Sequence, residues 1–321
     1  MPRDALIAIG GGLMSAVAFA AISGGTFSAL LLVYFAPFPL LMVGLGLGPR
    51  AATVAVAIGF FATGLLGNAY VAGVYGVVIA LPPWVLVVLL MRRLAPPDGS
   101  SGVGEWPSPG SALSALALLA GVTLVLASAS VSDGNLAEQV AASVREATDG
   151  MVSVWGDVRR EMVVATVAPI VPGGVAAFWV VIGVVNAIIA QGILVRMGRN
   201  LRSSPPYADL ELPQWASWPL LAAAAVALMG TTLGSGDLAY IGRNAAMVFA
   251  APYFFLGLAV VHTLARRVAF TGPVLVALYM VILVSGWAAV VVAGIGIAEQ
   301  WVGLRHRAPN GNGDAGPENE A

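Results

Sequence analysis

The side chains that could do chemistry are few and widely spaced. Asp237, Arg243, Asn244 and His262 fall in the last third of the chain, and Asn186 and Gln191 lie nearer the middle. Arg243 with Asn244 beside it would suit an anion or substrate contact. The alternative is structural: Asp237 turns back to pair with Arg243 and caps two helices. An arginine in apolar sequence needs an anion, a headgroup or water, so both readings stand. His262 lies just before Arg266 and Arg267, where an interfacial histidine or a proton relay would fit. Asn186 and Gln191 could tie helices together or hold a ligand. Ser235, flanked by glycines, cannot serve His262 as a nucleophile, because one continuous helix would hold them roughly 40 Å apart.

Larger catalytic machinery is excluded by residue type. The chain has no cysteine and two histidines, His262 and His306. Thiolate catalysis, disulfides, iron–sulfur clusters and a His-rich metal site are therefore out of reach of one chain. No phosphate-binding loop, dinucleotide fingerprint or HExxH occurs. The cations are all arginines, 15 in number, scattered at the ends of apolar runs, and the net charge is −1. That pattern gives no groove for nucleic acid. The expectation is a protein that is no enzyme, with no cofactor and no metal.

Such residues must be positioned by membrane-length helices. Charged residues make up 10% of the 321 residues and hydrophobic ones 59%, against about 25% charged in a soluble domain. A span needs about 20 apolar residues. Nine candidates are residues 5–23, 26–47, 51–67, 71–91, 112–131, 175–195, 218–233, 238–264 and 272–297, the short seventh being the weakest. The first is read as a helix, not a cleaved leader, because apolar sequence continues directly into the second. The second ends in FAPFPLLMVGLGLGPR, residues 35–50. Pro37 and Pro39 leave carbonyls that neighbours must satisfy, and Gly44, Gly46 and Gly48 invite close backbone approach. A packed, central helix is expected there. Ala16 and Ala20, with Gly24, form a small-residue row on the first helix. Tyr34, Tyr70, Tyr75 and Trp84 read as interface anchors, or as lining for a pocket.

The fold class is therefore an all-α integral membrane protein, a polytopic bundle of about eight to nine transmembrane helices with one external amphipathic segment. That segment, residues 132–161, repeats Leu136, Val140, Val144, Ala147, Met151, Trp155, Val158 and Met162 at helical spacing. Asp133 is a fitting N-cap, and Asp149-Gly150 is a place for the helix to divide. It reads as a connector or as a partner-docking helix. The organisation runs as a four-helix half over 1–93, a Pro/Gly/Ser-rich loop over 94–111, a second half over 112–307 and a disordered tail over 308–321. Arginine placement puts the N-terminus in the cytoplasm and residues 132–161 outside. Nine crossings, however, strand Arg305 and Arg307 outside, and eight would not.

Two stretches carry a resemblance. Residues 35–67, FAPFPLLMVGLGLGPRAATVAVAIGFFATGLLG, resemble the second and third helices of substrate-binding subunits of energy-coupling-factor vitamin transporters, although those subunits have six spans. In that resemblance the row at Ala16 and Ala20 would face a coupling protein in the membrane. Residues 241–267, IGRNAAMVFAAPYFFLGLAVVHTLARR, with the preceding LPQWASWPLLAAA, resemble the YybS-like family of bacterial membrane proteins, which implies no particular activity. The expected function is a transporter-like, small-molecule-binding subunit of the bacterial inner membrane. The alternative is a non-catalytic envelope scaffold acting through the amphipathic segment. The partners expected are the lipid bilayer, a membrane protein and a small molecule whose identity the sequence does not give.

Overall fold

A computed structural model describes residues 2–93, 105–129, 136–151, 156–266, 268 and 270–307, and every described regular element is helical. The tail at 308–321, most of the loop at 94–111, Asp133 and Trp155 lie outside the described residues. Packing divides the chain into two compact units, residues 1–205 with 212–252, and residues 206–211 with 253–321.

In the first unit, α1 (Pro2–Ala20), α2 (Phe27–Tyr34), α3 (Pro37–Leu47), α4 (Pro49–Leu66), α5 (Ala69–Tyr75) and α6 (Leu81–Met91) form the N-terminal half. They make four candidate spans, because α2 with α3, and α5 with α6, each form one interrupted crossing. The densest packing joins α1 to α4 and α3 to α1 and α4. Phe19, Leu40, Val43, Tyr75 and Ile79 are buried together with Ala8, Ala36, Ala55 and Ala80. Side chains thus fill the space between these four spans. Of residues 35–50, where a packed central helix is expected, the part that forms α3 is packed: Leu40, Leu41, Val43, Gly44 and Leu45 are all buried, while Phe35 and Arg50 at the two ends are exposed. α7 (Pro109–Ala129), α8 (Leu136–Thr148), α9 (Asp157–Val167), α10 (Val171–Arg196), α11 (Ser217–Thr232) and α12 (Gly236–Ala265) follow. α10 packs on both α3 and α7.

Residues 132–161 do not form one amphipathic rod. A 3₁₀ turn, Asp149–Met151, follows α8, and α9 turns back beside it. Arg145 meets Glu161 at 3.1 Å and Arg160 meets Asp149 at 2.6 Å. A straight helix would separate residues 16 apart by roughly 24 Å. The apolar stripe through Val158 and Met162 is therefore folded in two, at the division that Asp149-Gly150 signals.

The second unit holds the end of α12, then α13 (Thr271–Val284), α14 (Gly286–Val302) and α15 (Leu304–Arg307). A Cβ on Gly296 would fall on the Tyr253 carbonyl, and one on Gly257 on the Val292 carbonyl, so α12 and α14 touch backbone to backbone. The ninth span expected at 272–297 is broken at Ser285, where α13 and α14 bend by 118°. Among the described residues, eight helices are long and apolar enough to cross, nine if the bent pair is one span. The short seventh candidate survives as Gln214–Thr232.

Candidate functional site

The site begins with two prolines. Pro37 and Pro39 lack the N–H that would continue α2 into α3, so the crossing breaks at Phe35-Ala36. Phe38 N–H donates to Phe35 O, and the Tyr34 carbonyl is left without the bond a continuous helix would give it. Asn186 on α10 supplies one: its Nδ2 donates to Tyr34 O at 2.9 Å. On the other side, Ser15 Oγ of α1 donates to Ala36 O at 2.7 Å. Tyr75 OH in turn donates to Ser15 Oγ at 2.9 Å.

Tyr75 immediately precedes a second interruption. Residues Gly76–Ala80 form a π turn between α5 and α6. Such turns free carbonyls and recur at functional sites. Here Trp179 Nε1 of α10 donates to Val78 O at 2.5 Å. Trp179 and Asn186 are seven residues apart, so they share one face of α10. One continuous helix thus meets both interrupted spans, and α1 bridges the same two breaks from its own side.

The junction retains unused bonding capacity. Asn186 spends both Nδ2 hydrogens, on Tyr34 O and on Ile182 O at 2.9 Å. Its Oδ1 is buried with no hydrogen-bond partner among the described residues, and so is Ser114 Oγ on α7. α7 and α10 pack together; a Cβ on Gly183 would lie 3.5 Å from Leu116 Cδ2. An unpaired buried carbonyl costs about 1–3 kcal/mol. What this part of the bundle leaves unspent is a neutral acceptor on α10 and a hydroxyl on α7. No group of His, Asp or Glu capable of holding a metal occurs among the described residues.

The other sequence candidates are dispersed. Asn244 is a structural tie. Its Oδ1 accepts from Gly173 N–H at 2.7 Å, and its Nδ2 donates to Pro169 O at 3.0 Å and Tyr240 O at 2.8 Å. It therefore caps the start of α10 from α12, with no bonding capacity directed at a ligand. Asp237 and Arg243 are both exposed, and no ion pair joins them among the described residues. The chain is already helical from Gly236, so a spacing of six turns their side chains to different faces. His262 is held between two partners: Nδ1 lies 2.8 Å from Leu258 O and Nε2 lies 3.2 Å from Tyr279 OH. The carbonyl fixes the proton on Nδ1, leaving Nε2 to accept. The Tyr207 and His262 rings meet edge to face. Burial, with Tyr279 nearby, pushes the Tyr207 hydroxyl above its usual range.

The small-residue row on α1 does not run as one packing stripe. Ala16 is buried, Ala20 half-buried and Gly24 exposed. Gly44 faces Val87 and Gly46 faces Leu194, as close-packing glycines would. Gly48 instead makes the turn from α3 to α4 with a φ of +94°, a conformation only glycine adopts freely. Tyr75 is a buried bond donor, not an interface anchor, while Tyr70 is exposed. Gln191 holds a loop, donating to Arg202 O at 2.8 Å.

Sequence reasoning missed Ser15, Trp179, Arg202 and the pair Glu299–Arg305. Arg305 Nε lies 2.7 Å from Glu299 Oε1, and the two side chains are 10% and 3% exposed. The same guanidinium donates to Ala208 O and to Leu210 O, the latter at 2.9 Å, holding the segment Pro206–Glu211 against the helix end. Serine and tyrosine in apolar spans are too common to signal anything alone. The six-residue Glu-to-Arg spacing matches no helical pair, and only the left-handed Gly303 between them brings the two together.

Comparison with known proteins adds one match. A family model described as a predicted membrane protein, DUF2232, matches residues 14–299. The chain belongs to this family. No curated protein and no solved structure matches it. DUF2232 membership and the candidate spans agree that this is a multi-span membrane protein associated with the lipid bilayer. The match covers both interrupted spans, α10 and Glu299.

Proposed function

We propose that this DUF2232 protein is a non-catalytic membrane subunit that binds a small neutral molecule where its two interrupted spans meet α10. The observation that carries the reading is the buried, unpaired Oδ1 of Asn186. It lies roughly 15 Å from the Arg196 end of α10 and 22 Å from the Val171 end, near mid-membrane depth. Interrupted helices and mid-depth sites go together in transport proteins, because irregular backbone at depth has to line a cavity or be buried in protein. The resemblance of residues 35–67 to vitamin-binding subunits points the same way. Because side chains fill the space inside the first four spans, the binding junction is assigned beside them, against α10. The polar groups named at the junction carry no charge, so the guest is neutral and carries a hydroxyl or N–H donor. We further place the protein in the bacterial inner membrane with its N-terminus and its arginine-rich helix ends in the cytoplasm.

Protein extracted in its native lipids and stripped with organic solvent tests this by mass spectrometry. A neutral solute should accompany the wild type and be lost from Asn186→Leu. Identical extracts from the two proteins would contradict the reading. A second reading, a scaffold acting through the α8–α9 hairpin, rests on Val158 and Met162, which are 83% and 65% exposed. Under it, Val158→Asp with Met162→Asp abolishes function while solute retention is unchanged.

A further inference from the structure

Asn186 lies at the edge of the buried face of α10, next to lipid-facing side chains. At 100° per residue, Phe178, Val185 and Ile189 form a strip on one flank of Asn186, and Gly183, Ala190 and Leu194 lie on the other. The first three are 47%, 38% and 37% exposed, and the second three are buried. Phe35, next to the Tyr34 carbonyl that Asn186 holds, is exposed as well. Exposed apolar side chains at this depth face hydrocarbon.

Routes from water are longer and filled. Asn186 is roughly 15 Å from the nearer end of α10. Toward that end Leu194 fills the space over Gly46, where a Cβ would lie 3.0 Å from its Cδ2. Toward the Val171 end, Trp179 is bound to Val78 O, and the Tyr34 and Phe178 rings meet edge to face at 5.5 Å. The buried Arg202 is engaged elsewhere, donating to Leu90 O at 3.2 Å and to Pro107 O at 2.7 Å. A charged headgroup is costly at such depth without a paired charge. Asn186 Oδ1 can only accept, because both Nδ2 hydrogens are spent. A hydroxyl dissolved in hydrocarbon has no hydrogen-bond partner, so a buried acceptor beside the lipid attracts it.

Given a binding junction at Asn186, we propose that its guest is a membrane-soluble alcohol, an apolar chain with one neutral hydroxyl, which enters from the bilayer past Phe35, Phe178 and Val185. The hydroxyl donates to Asn186 Oδ1, and the chain stays against the exposed strip of α10. A water-soluble solute lacks a route to this acceptor. A phospholipid would have to draw its charged head away from the interface.

Photolabelling of the full chain in native-lipid nanodiscs tests the class of guest. The probes are hexadecanol with a mid-chain diazirine, its methyl ether, and a short water-soluble diazirine alcohol. Peptide mass spectrometry should find the long alcohol on residues 27–47 or 171–196. Labelling there should fall by more than half with excess plain hexadecanol, and by as much in Asn186→Leu. The ether has the same chain and no donor, and should give only uncompeted labelling spread over exposed helices. That comparison is made within the wild type, so it decides the matter even if Asn186→Leu fails to fold. Equal labelling by alcohol and ether, or labelling that plain hexadecanol does not compete, overturns the proposal. So does competed labelling by the short alcohol alone, which leaves the junction with a water-soluble guest. A solute lost from extracts of Asn186→Leu, without competed labelling by the long alcohol, likewise keeps the junction and removes the lipid-soluble guest. Identical extracts without competed labelling remove both.

Discussion

Asn244 shows how a polar residue in a membrane span can be fully consumed by structure. Two of its three hydrogen bonds tie α12 to Gly173 in the first turn of α10 and to Pro169 just before it, and the third stays within α12. Asn244→Ala leaves the Gly173 N–H buried without its partner and removes a bond from Pro169 O, and should cost about 1–3 kcal/mol. Arg243→Ala, one position away but exposed, should leave the melting temperature nearly unchanged; a larger loss from Arg243→Ala would reverse these assignments. The glycines separate in the same way. Gly296→Ala drives a methyl onto the Tyr253 carbonyl, which has no rotamer to retreat into, and about 1–3 kcal/mol of overpacking strain is expected. Gly46→Ala meets the flexible Leu194 Cδ2 at 3.0 Å and should be tolerated. Melting curves of the two variants decide it. At this scale the sequence tells which residue types are costly in a membrane and little about what satisfies them. Asn186 and Asn244 look alike in sequence, yet one keeps an open acceptor and the other does not. The partners that make the difference, Tyr34 O and Gly173 N–H, are backbone atoms about 150 and 70 positions away.

Helices and their breaks follow local rules more legibly. Two prolines announced the break between α2 and α3, and Pro82-Pro83 lies just past the π turn before α6. Gly48 and Pro49 mark the turn into α4. The break at Ser285 carries a weaker signal, the Ser285-Gly286 pair, which the span reading passed over. Residues 272–297 read as one apolar run, yet α13 and α14 bend by 118° there. The Glu299–Arg305 clasp belongs to this level too, since it fastens the end of α14 to the segment Pro206–Glu211. Removing one member of a buried pair strands the other charge, so Arg305→Ala should destabilise the protein by about 3–5 kcal/mol. Glu299→Ala combined with Arg305→Ala should recover part of that loss. Strictly additive losses in the double-mutant cycle would show that the two side chains act separately.

At the scale of the whole molecule, the bent α13–α14 pair removes a conflict that arginine counting creates. If the pair enters and leaves on one side, eight crossings remain, and Arg305 returns to the side of Arg266. Its bonds to Ala208 and Leu210 tie it to the segment Pro206–Glu211. The absence of native cysteine makes single-cysteine labelling direct. Ser101→Cys and Leu304→Cys should react from the same side of sealed vesicles and Thr148→Cys from the other. Labelling of Leu304→Cys together with Thr148→Cys would instead require a ninth crossing. The bundle, its hydrophobic spans and its connector were legible because membranes force long apolar helices. The junction was not, because it is assembled from breaks in two spans and one face of a third. The central claim, that this junction holds a guest, is tested most directly by an experimental structure in native lipid. The account predicts non-protein density within hydrogen-bond reach of Asn186 Oδ1. A dry junction in which that oxygen is paired with Ser114 Oγ or another protein group would contradict it.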